Sequence, residues 1–281
     1  MAFTVSGKSV LITGAAMGMG RIWAGYAVEE GASTLILWDI DQVALDKAVA
    51  ELSGKGTNVI GQIVNVADPT AISRGAEEVK RNVGYPDVLI NNAGVVRAKY
   101  FWEADAEKDI KFTMDVNSMA PMYITLEFLA SMVANPEREC RIVNIASAAG
   151  MQATPKMAVY AASKWACLGW SDSVRIELEQ QGAGHVKVTT VCPSYISTGM
   201  FEGAKGPLLA PILKPEEVTT AVWKGMKNGD ALIVLPKTVY LARAVKGLLP
   251  VKLYDLIADR LLGVYHSMDD FKGRGTERSG L

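Results

Sequence analysis

The stretch Ser9-Val10-Leu11-Ile12-Thr13-Gly14-Ala15-Ala16-Met17-Gly18-Met19-Gly20 decides the fold. Its first five residues form a short apolar run of the kind that makes a buried strand. The run breaks at a glycine-rich turn and continues into a segment of helical composition over residues 19–30. Glycines suit a turn that bends sharply and lets a pyrophosphate come close to the backbone. The first amides of the following helix and its dipole favour such an anion. An ordinary glycine-rich turn reads the same way, so the rest of the chain has to discriminate.

Five further apolar runs, at 34–38, 59–64, 88–91, 141–145 and 186–191, read as buried strands. A late strand at 231–235 extends the sheet. Segments at 42–53, 69–82, 107–133 and 155–181 have helical composition. Asp68-Pro69 offers a capping carboxylate followed by proline at the first helical position, and Gly31 suits the end of the first helix. Strands alternating with helices, buried on both faces, predict an α/β fold: a doubly wound, Rossmann-like parallel sheet. No repeat or Gly/Ser linker divides the chain, so residues 1–281 read as a single domain.

Lys and Arg total 29 and Asp and Glu total 30, a formal net charge of −1. No basic surplus points to nucleic acid. Cys140, Cys167 and Cys192 lack metal-ligand spacing, and their odd number argues against a disulfide framework. No metal site is expected. The N-terminus lacks the apolar core of a signal peptide, and no uncharged apolar run reaches the roughly 18 residues of a spanning helix. These features predict a soluble, cytoplasmic protein.

Asp39 ends the second strand, nineteen residues beyond Gly20. An acidic side chain there accepts hydrogen bonds from adenosine ribose hydroxyls. It would repel a 2′-phosphate, and no Arg or Lys follows it or lies within 14–20, which favours NAD over NADP. The other reading of Asp39 is a cap for the next helix, although Asp41 is better placed for that.

Tyr160 and Lys164 stand four apart in a helical segment and share one face. A free tyrosine, with a pKa near 10, is a poor base at neutrality. A nearby ammonium, aided by a positive nicotinamide, stabilises the phenolate. Ser147, thirteen residues before Tyr160, follows the strand at 141–145, where its hydroxyl can face a ligand at the carboxyl edge of the sheet.

With these residues in view, the chain resembles the short-chain dehydrogenase/reductase family in its compact single-domain branch. The matches run in the family's order: Thr13-Gly14-x-x-x-Gly18-x-Gly20, Asn91-Asn92-Ala93-Gly94, Asn117, Ser147, Tyr160-x-x-x-Lys164 and Pro193…Thr198. The resemblance implies that Tyr160 is the general acid/base and that Ser147 stabilises the substrate oxygen. Lys164 would bind the nicotinamide ribose and lower the tyrosine pKa, and Asn117 would hold a water relaying protons from Lys164. It implies a dinucleotide bed of Gly14, Gly18, Met19, Gly20, Asp39, Asn65, Val66, Asn91, Ala93 and Gly94, completed by Tyr160, Lys164, Pro193, Ile196 and Thr198. Two positions depart from the pattern. Asn65 stands where many relatives carry Asp, and Ser194 replaces the usual glycine after Pro193.

Residues 199–215 mix glycine, proline and apolar side chains, as a lid over a hydrophobic ligand would. Met151, Met157, Met200 and Phe201, with Ser147 and Tyr160, are the candidate substrate contacts. Beyond the lid, 236–281 reads as a C-terminal extension. Its apolar and basic residues suit packing on a neighbouring subunit, closing the cleft or lying on a membrane surface. Thr198-Gly199-Met200-Phe201 and Ser267-Met268-Asp269-Asp270-Phe271 are similar to the retinol and 17β-hydroxysteroid dehydrogenase branch. The expected activity is therefore NAD-dependent oxidation of a lipophilic secondary or long-chain alcohol to its carbonyl. The alternatives are a carbonyl or 3-oxoacyl reductase and, from a different class, a non-catalytic NAD-binding scaffold. A homodimer or homotetramer is implied by the resemblance.

Overall fold

The computed structural model describes residues 3–208 and 210–273. Seven parallel strands form one sheet: β1 (Ser9–Thr13), β2 (Thr34–Asp39), β3 (Asn58–Ile63), β4 (Val88–Asn91), β5 (Cys140–Ile145), β6 (Val186–Pro193) and β7 (Leu232–Leu235). Their spatial order is β3-β2-β1-β4-β5-β6-β7, the doubly wound arrangement that the alternation predicts.

The strands read as nearly continuous apolar runs because successive side chains enter different cores. Val10 and Ile12 of β1 join the cluster beneath one face, with Trp23 and Trp223, while Leu11 joins the cluster on the other, with Ile72 and Phe128. The first cluster is covered by α1 (Gly18–Glu29) and α2 (Gln42–Leu52). The second is covered by α3 (Pro69–Asn82), α4 (Ala120–Val133) and α5 (Ala158–Gln180). Asp68 caps α3 with Pro69 in its first turn, as its sequence indicates.

The segment 107–133, expected as one helix, is helical throughout but not uniform. Wider π turns at Ala106–Lys111 and Asp115–Met119 precede α4. Such turns loosen the regular ladder and recur at functional sites, and Asn117 lies in the second. After β6 the chain forms α6 (Pro215–Asn228), which follows the lid segment. The C-terminal extension is ordered as α7 (Thr238–Leu248), α8 (Val251–Leu256) and a π turn, Ile257–Leu261. Leu209 of the lid and 274–281 of the extension lie outside the described residues. Among the described residues no helix is long and apolar enough to cross a membrane.

Candidate active site

β2 and β4 flank β1, so successive connections leave the centre of the sheet in opposite directions and open a crevice at the carboxyl ends. The glycine turn lies at this point. Gly18 has φ of +57°, which disfavours any side chain, and its Cβ position is 3.9 Å from the Thr198 side chain. A Cβ on Gly20 would strike the Gly14 carbonyl and come within 2.8 Å of Asn92 Nδ2.

Asn92 ties this turn to β4. Its Nδ2 donates to the carbonyls of Thr13 (2.9 Å) and Gly14 (3.0 Å). In return, Thr13 Oγ1 accepts the amides of Asn92 and Ala93, both at 3.0 Å. Read from the sequence, Asn92 is only part of a motif. Its individual role shows once β1 and β4 are neighbours.

α2 and α3 are capped by Asp41 and Asp68. α1 has no capping side chain and no acidic residue in its first turn. Its leading amides are left for an external acceptor, the donor set that a pyrophosphate requires. The turn therefore fits a dinucleotide.

Asp39 holds the neighbouring loop. Its Oδ2 accepts the Ala16 amide at 2.9 Å, and its Oδ1 accepts Ile40 (2.8 Å) and Asp41 (3.1 Å). A carboxylate offers about four acceptor positions, so one remains for a ribose hydroxyl. The capping of α2 falls to Asp41, as its spacing indicates.

The remaining members of the predicted bed divide into two groups. Met19 packs partly buried on one core and Val66 on the other. Ala93 backs onto Gly14 and Gly94 onto the lysine, with the Cβ position of Gly94 at 3.7 Å from Lys164 Nζ. Ile196 bridges to Leu213, which fixes the loop carrying Thr198. Asn65 turns its Oδ1 onto the Ala67 amide at 3.0 Å.

Asn91 points into the interior. Its Nδ2 donates to Asn144 Oδ1 (2.8 Å) and Thr125 Oγ1 (3.1 Å). The chain continues from Asn144 Nδ2 to Ser171 Oγ (2.8 Å) and on to the Thr190 hydroxyl (2.7 Å). This buried polar chain ties the adjacent strands β4, β5 and β6 to each other and to α4 and α5.

Tyr160 and Lys164 lie one turn apart on α5, both buried. Ser147 stands at the end of the β5 connection, where it caps a short turn through Ala149 N (3.1 Å) and donates to the Pro193 carbonyl at 3.4 Å. Lys164 Nζ donates to the Ile145 carbonyl at 2.8 Å and lies 5.8 Å from the centre of the Tyr160 ring.

The expected depression of the tyrosine pKa is corrected here. Burial, the largest cause, pushes the phenol well above its ordinary value, and the neighbouring Ser147 hydroxyl acts in the opposite direction. Burial also pulls the Lys164 ammonium below its ordinary value. Low-dielectric surroundings disfavour both charged forms.

Asn117 differs in detail from the expectation. Its Oδ1 accepts the Val95 amide at 2.9 Å, and its Nδ2 donates to the Val95 carbonyl (2.9 Å) and Ser163 Oγ (3.1 Å). The side chain is thus committed to clamping the 93–95 loop against α5. It positions the loop beside Lys164.

A cavity of about 240 Å³ adjoins Ser147. Of the candidate substrate contacts, Ser147, Met151, Met157 and Phe201 line it, while Tyr160 and Met200 are not among its walls. The Phe201 ring meets Tyr160 edge-on at 6.1 Å. The far wall comes from the extension: Val239, Ala242, Val245, Tyr254 and Ile257 all line it. The extension thus contributes residues to the cavity wall. No local sequence pattern marks those residues as cavity walls, because α7 and α8 reach the cavity only through the fold.

The short chain dehydrogenase family profile matches residues 8–206. Human epidermal retinol dehydrogenase 2 is 37% identical over 270 residues, covering 95% of this chain and 86% of the relative. Human estradiol 17-beta-dehydrogenase 11 is 31% identical over 269 residues, covering 96% and 88%. The crystal structure of a short-chain dehydrogenase/reductase from Burkholderia phymatum in complex with NAD superposes with a TM-score of 0.79 at 26% identity, covering 92% of this chain and 97% of the other. With its sheet order, its glycine turn and these likenesses, the chain belongs to the short-chain dehydrogenase family and has that family's NAD(P)-binding oxidoreductase fold.

Proposed function

We propose that this protein is an NAD-dependent dehydrogenase that oxidises a lipophilic secondary or long-chain alcohol to its carbonyl. One observation carries the reading: Ser147 opens onto a cavity whose other walls are mainly apolar, and Phe201 of that cavity meets the Tyr160 ring edge-on. Similarity to retinol and estradiol dehydrogenases supports the lipophilic substrate. The carboxylate of Asp39 beside the glycine turn supports NAD.

A bound nicotinamide supplies the hydride acceptor. Ser147 holds the alcohol oxygen and orients it toward Tyr160. The Tyr160 phenolate takes the hydroxyl proton, and the ammonium of Lys164 favours that phenolate through space. The Asn117 clamp keeps the 93–95 loop in place beside Lys164. Phe201 and the walls from α7 exclude water and fix the alcohol close to the base, which supplies much of the acceleration.

The test is the initial rate of dinucleotide reduction across steroids, retinoids and aliphatic alcohols, with NAD and with NADP. A turnover advantage for NAD with one apolar class supports the reading. A strong NADP preference, or binding of NAD with no turnover of any alcohol, overturns it.

A further inference from the structure

The helix α7 is apolar on two opposite sides. Val239, Ala242 and Val245 face the cavity. On the outer side Tyr240, Ala244, Gly247 and Leu248, with Arg243, bound a shallow groove. The outer spacing of i, i+4, i+7 and i+8 is that of a buried helical stripe, yet here it faces solvent. The exposure continues past the turn: Leu248 is 83% accessible, Val251 74% and Leu253 45%. Single exposed leucines need no explanation, but a contiguous run of them marks an interaction surface.

The charge of this surface is equally one-sided. From Ala231 to Tyr254 the chain carries Lys237, Arg243, Lys246 and Lys252 and no Asp or Glu, in a protein whose net charge is −1. Among the described residues none of these four cations is in an ion pair. Lys246 sits over the ring of Trp165 at 5.1 Å, and Trp165 is itself half exposed.

The occupant must supply anions and take up apolar side chains at once. A second copy placed symmetrically on this face would set cations against cations. A nucleic acid would neutralise the lysines and leave the leucines in water. Anionic headgroups above an acyl layer meet both demands. We infer that residues 237–254 form an interfacial docking surface for an anionic lipid bilayer, with the Leu248–Val251 tip set into the headgroup region. Docking stands independently of the substrate. Its use rests on the alcohol reading: α7 is both the docking face and a cavity wall, so an apolar ligand can pass from bilayer to site without crossing water.

The test is flotation of the full chain with phosphatidylcholine vesicles, alone or with about a third of phosphatidylglycerol, across a salt series. The expected result is at least about tenfold more protein on the anionic vesicles, lost at high salt. Leu248→Glu/Val251→Glu and, separately, Lys237→Glu/Lys252→Glu should each lower the bound fraction about tenfold without moving the melting temperature. No flotation with anionic vesicles, or wild-type flotation by the Leu248→Glu/Val251→Glu variant, overturns the proposal. So does a soluble dimer that this variant dissolves. Flotation needs no turnover, so its failure and failure of the dehydrogenase reading are separate results.

Discussion

Lys164 Nζ lies 5.8 Å from the centre of the Tyr160 ring while anchored at 2.8 Å on the carbonyl of Ile145. The ammonium is thus held by a strand end beside the tyrosine ring. The two residues should separate in kinetics. Tyr160→Phe keeps the buried ring and removes the proton acceptor, so turnover should fall by about 10²–10⁴ with dinucleotide affinity nearly unchanged. Retention of wild-type turnover would sink the assignment of Tyr160 as the base.

The direction of the tyrosine shift sets the pH profile. Alcohol oxidation needs the phenolate, which exists above the pKa, and burial moves that pKa upward. The rate of oxidation should therefore rise with pH through the alkaline range, and carbonyl reduction, which needs the phenol, should fall there. Lys164→Met removes the favourable field and should displace the oxidation limb further to alkaline pH. An oxidation rate flat from neutral to alkaline pH would contradict this account.

Asp39 should decide the dinucleotide. Its carboxylate is held against the glycine turn through Ala16 at 2.9 Å, where it would repel a 2′-phosphate at close range. Asp39→Ser should lower the NAD over NADP ratio of kcat/KM by about 10²-fold, equivalent to about 3 kcal/mol. The ratio, measured with one alcohol, is the readout, and an unchanged ratio would assign Asp39 to loop support alone.

Much of this site is legible in the sequence because its parts are local. The strand at 9–13 and the turn after it are contiguous, and Tyr160 and Lys164 are one helical turn apart. The rest depends on contacts between distant segments. Asn91 and Asn92 look alike in sequence, yet β4 aims one into the core and the other onto the glycine turn. Asn117 reads as a water ligand by resemblance, whereas packing commits its side chain to Val95 and Ser163. α6 is a different omission. Its signals were present in Lys214-Pro215-Glu216-Glu217 and in Gly229, which ends the helix in the left-handed region.

Asp87 supports the sheet at the end opposite the site. Its carboxylate accepts Ser9 N at 2.7 Å, Ser9 Oγ at 2.9 Å and Arg138 Nε at 2.5 Å. Burial, the largest single cause, raises its pKa, but Arg138 and Ser9 together outweigh it and hold the carboxyl below its ordinary value. A depressed folded pKa contributes stability that is present above the unfolded value near 3.9 and is lost as pH falls through the folded value. Asp87→Asn should cost about 2–4 kcal/mol and lower the melting temperature at pH 7 by about 5–10 °C. The difference from wild type should narrow on acidification below about pH 4. Equal melting temperatures at pH 7 would refute the clamp.

The cavity wall supplied by α7 makes the last prediction. Ala242 is small, partly buried and lines the cavity. Ala242→Phe places a ring in that space without touching Ser147, Tyr160 or the glycine turn. KM for bulky alcohols should rise about tenfold or more, while kcat/KM for a short aliphatic alcohol changes little. A uniform loss with every alcohol would mean that the variant disturbs the catalytic group itself. Unchanged kinetics with bulky alcohols would mean that the substrate lies elsewhere. The discriminating result is a loss graded by substrate size, because only occupancy of this cavity links the volume of residue 242 to the volume of the alcohol.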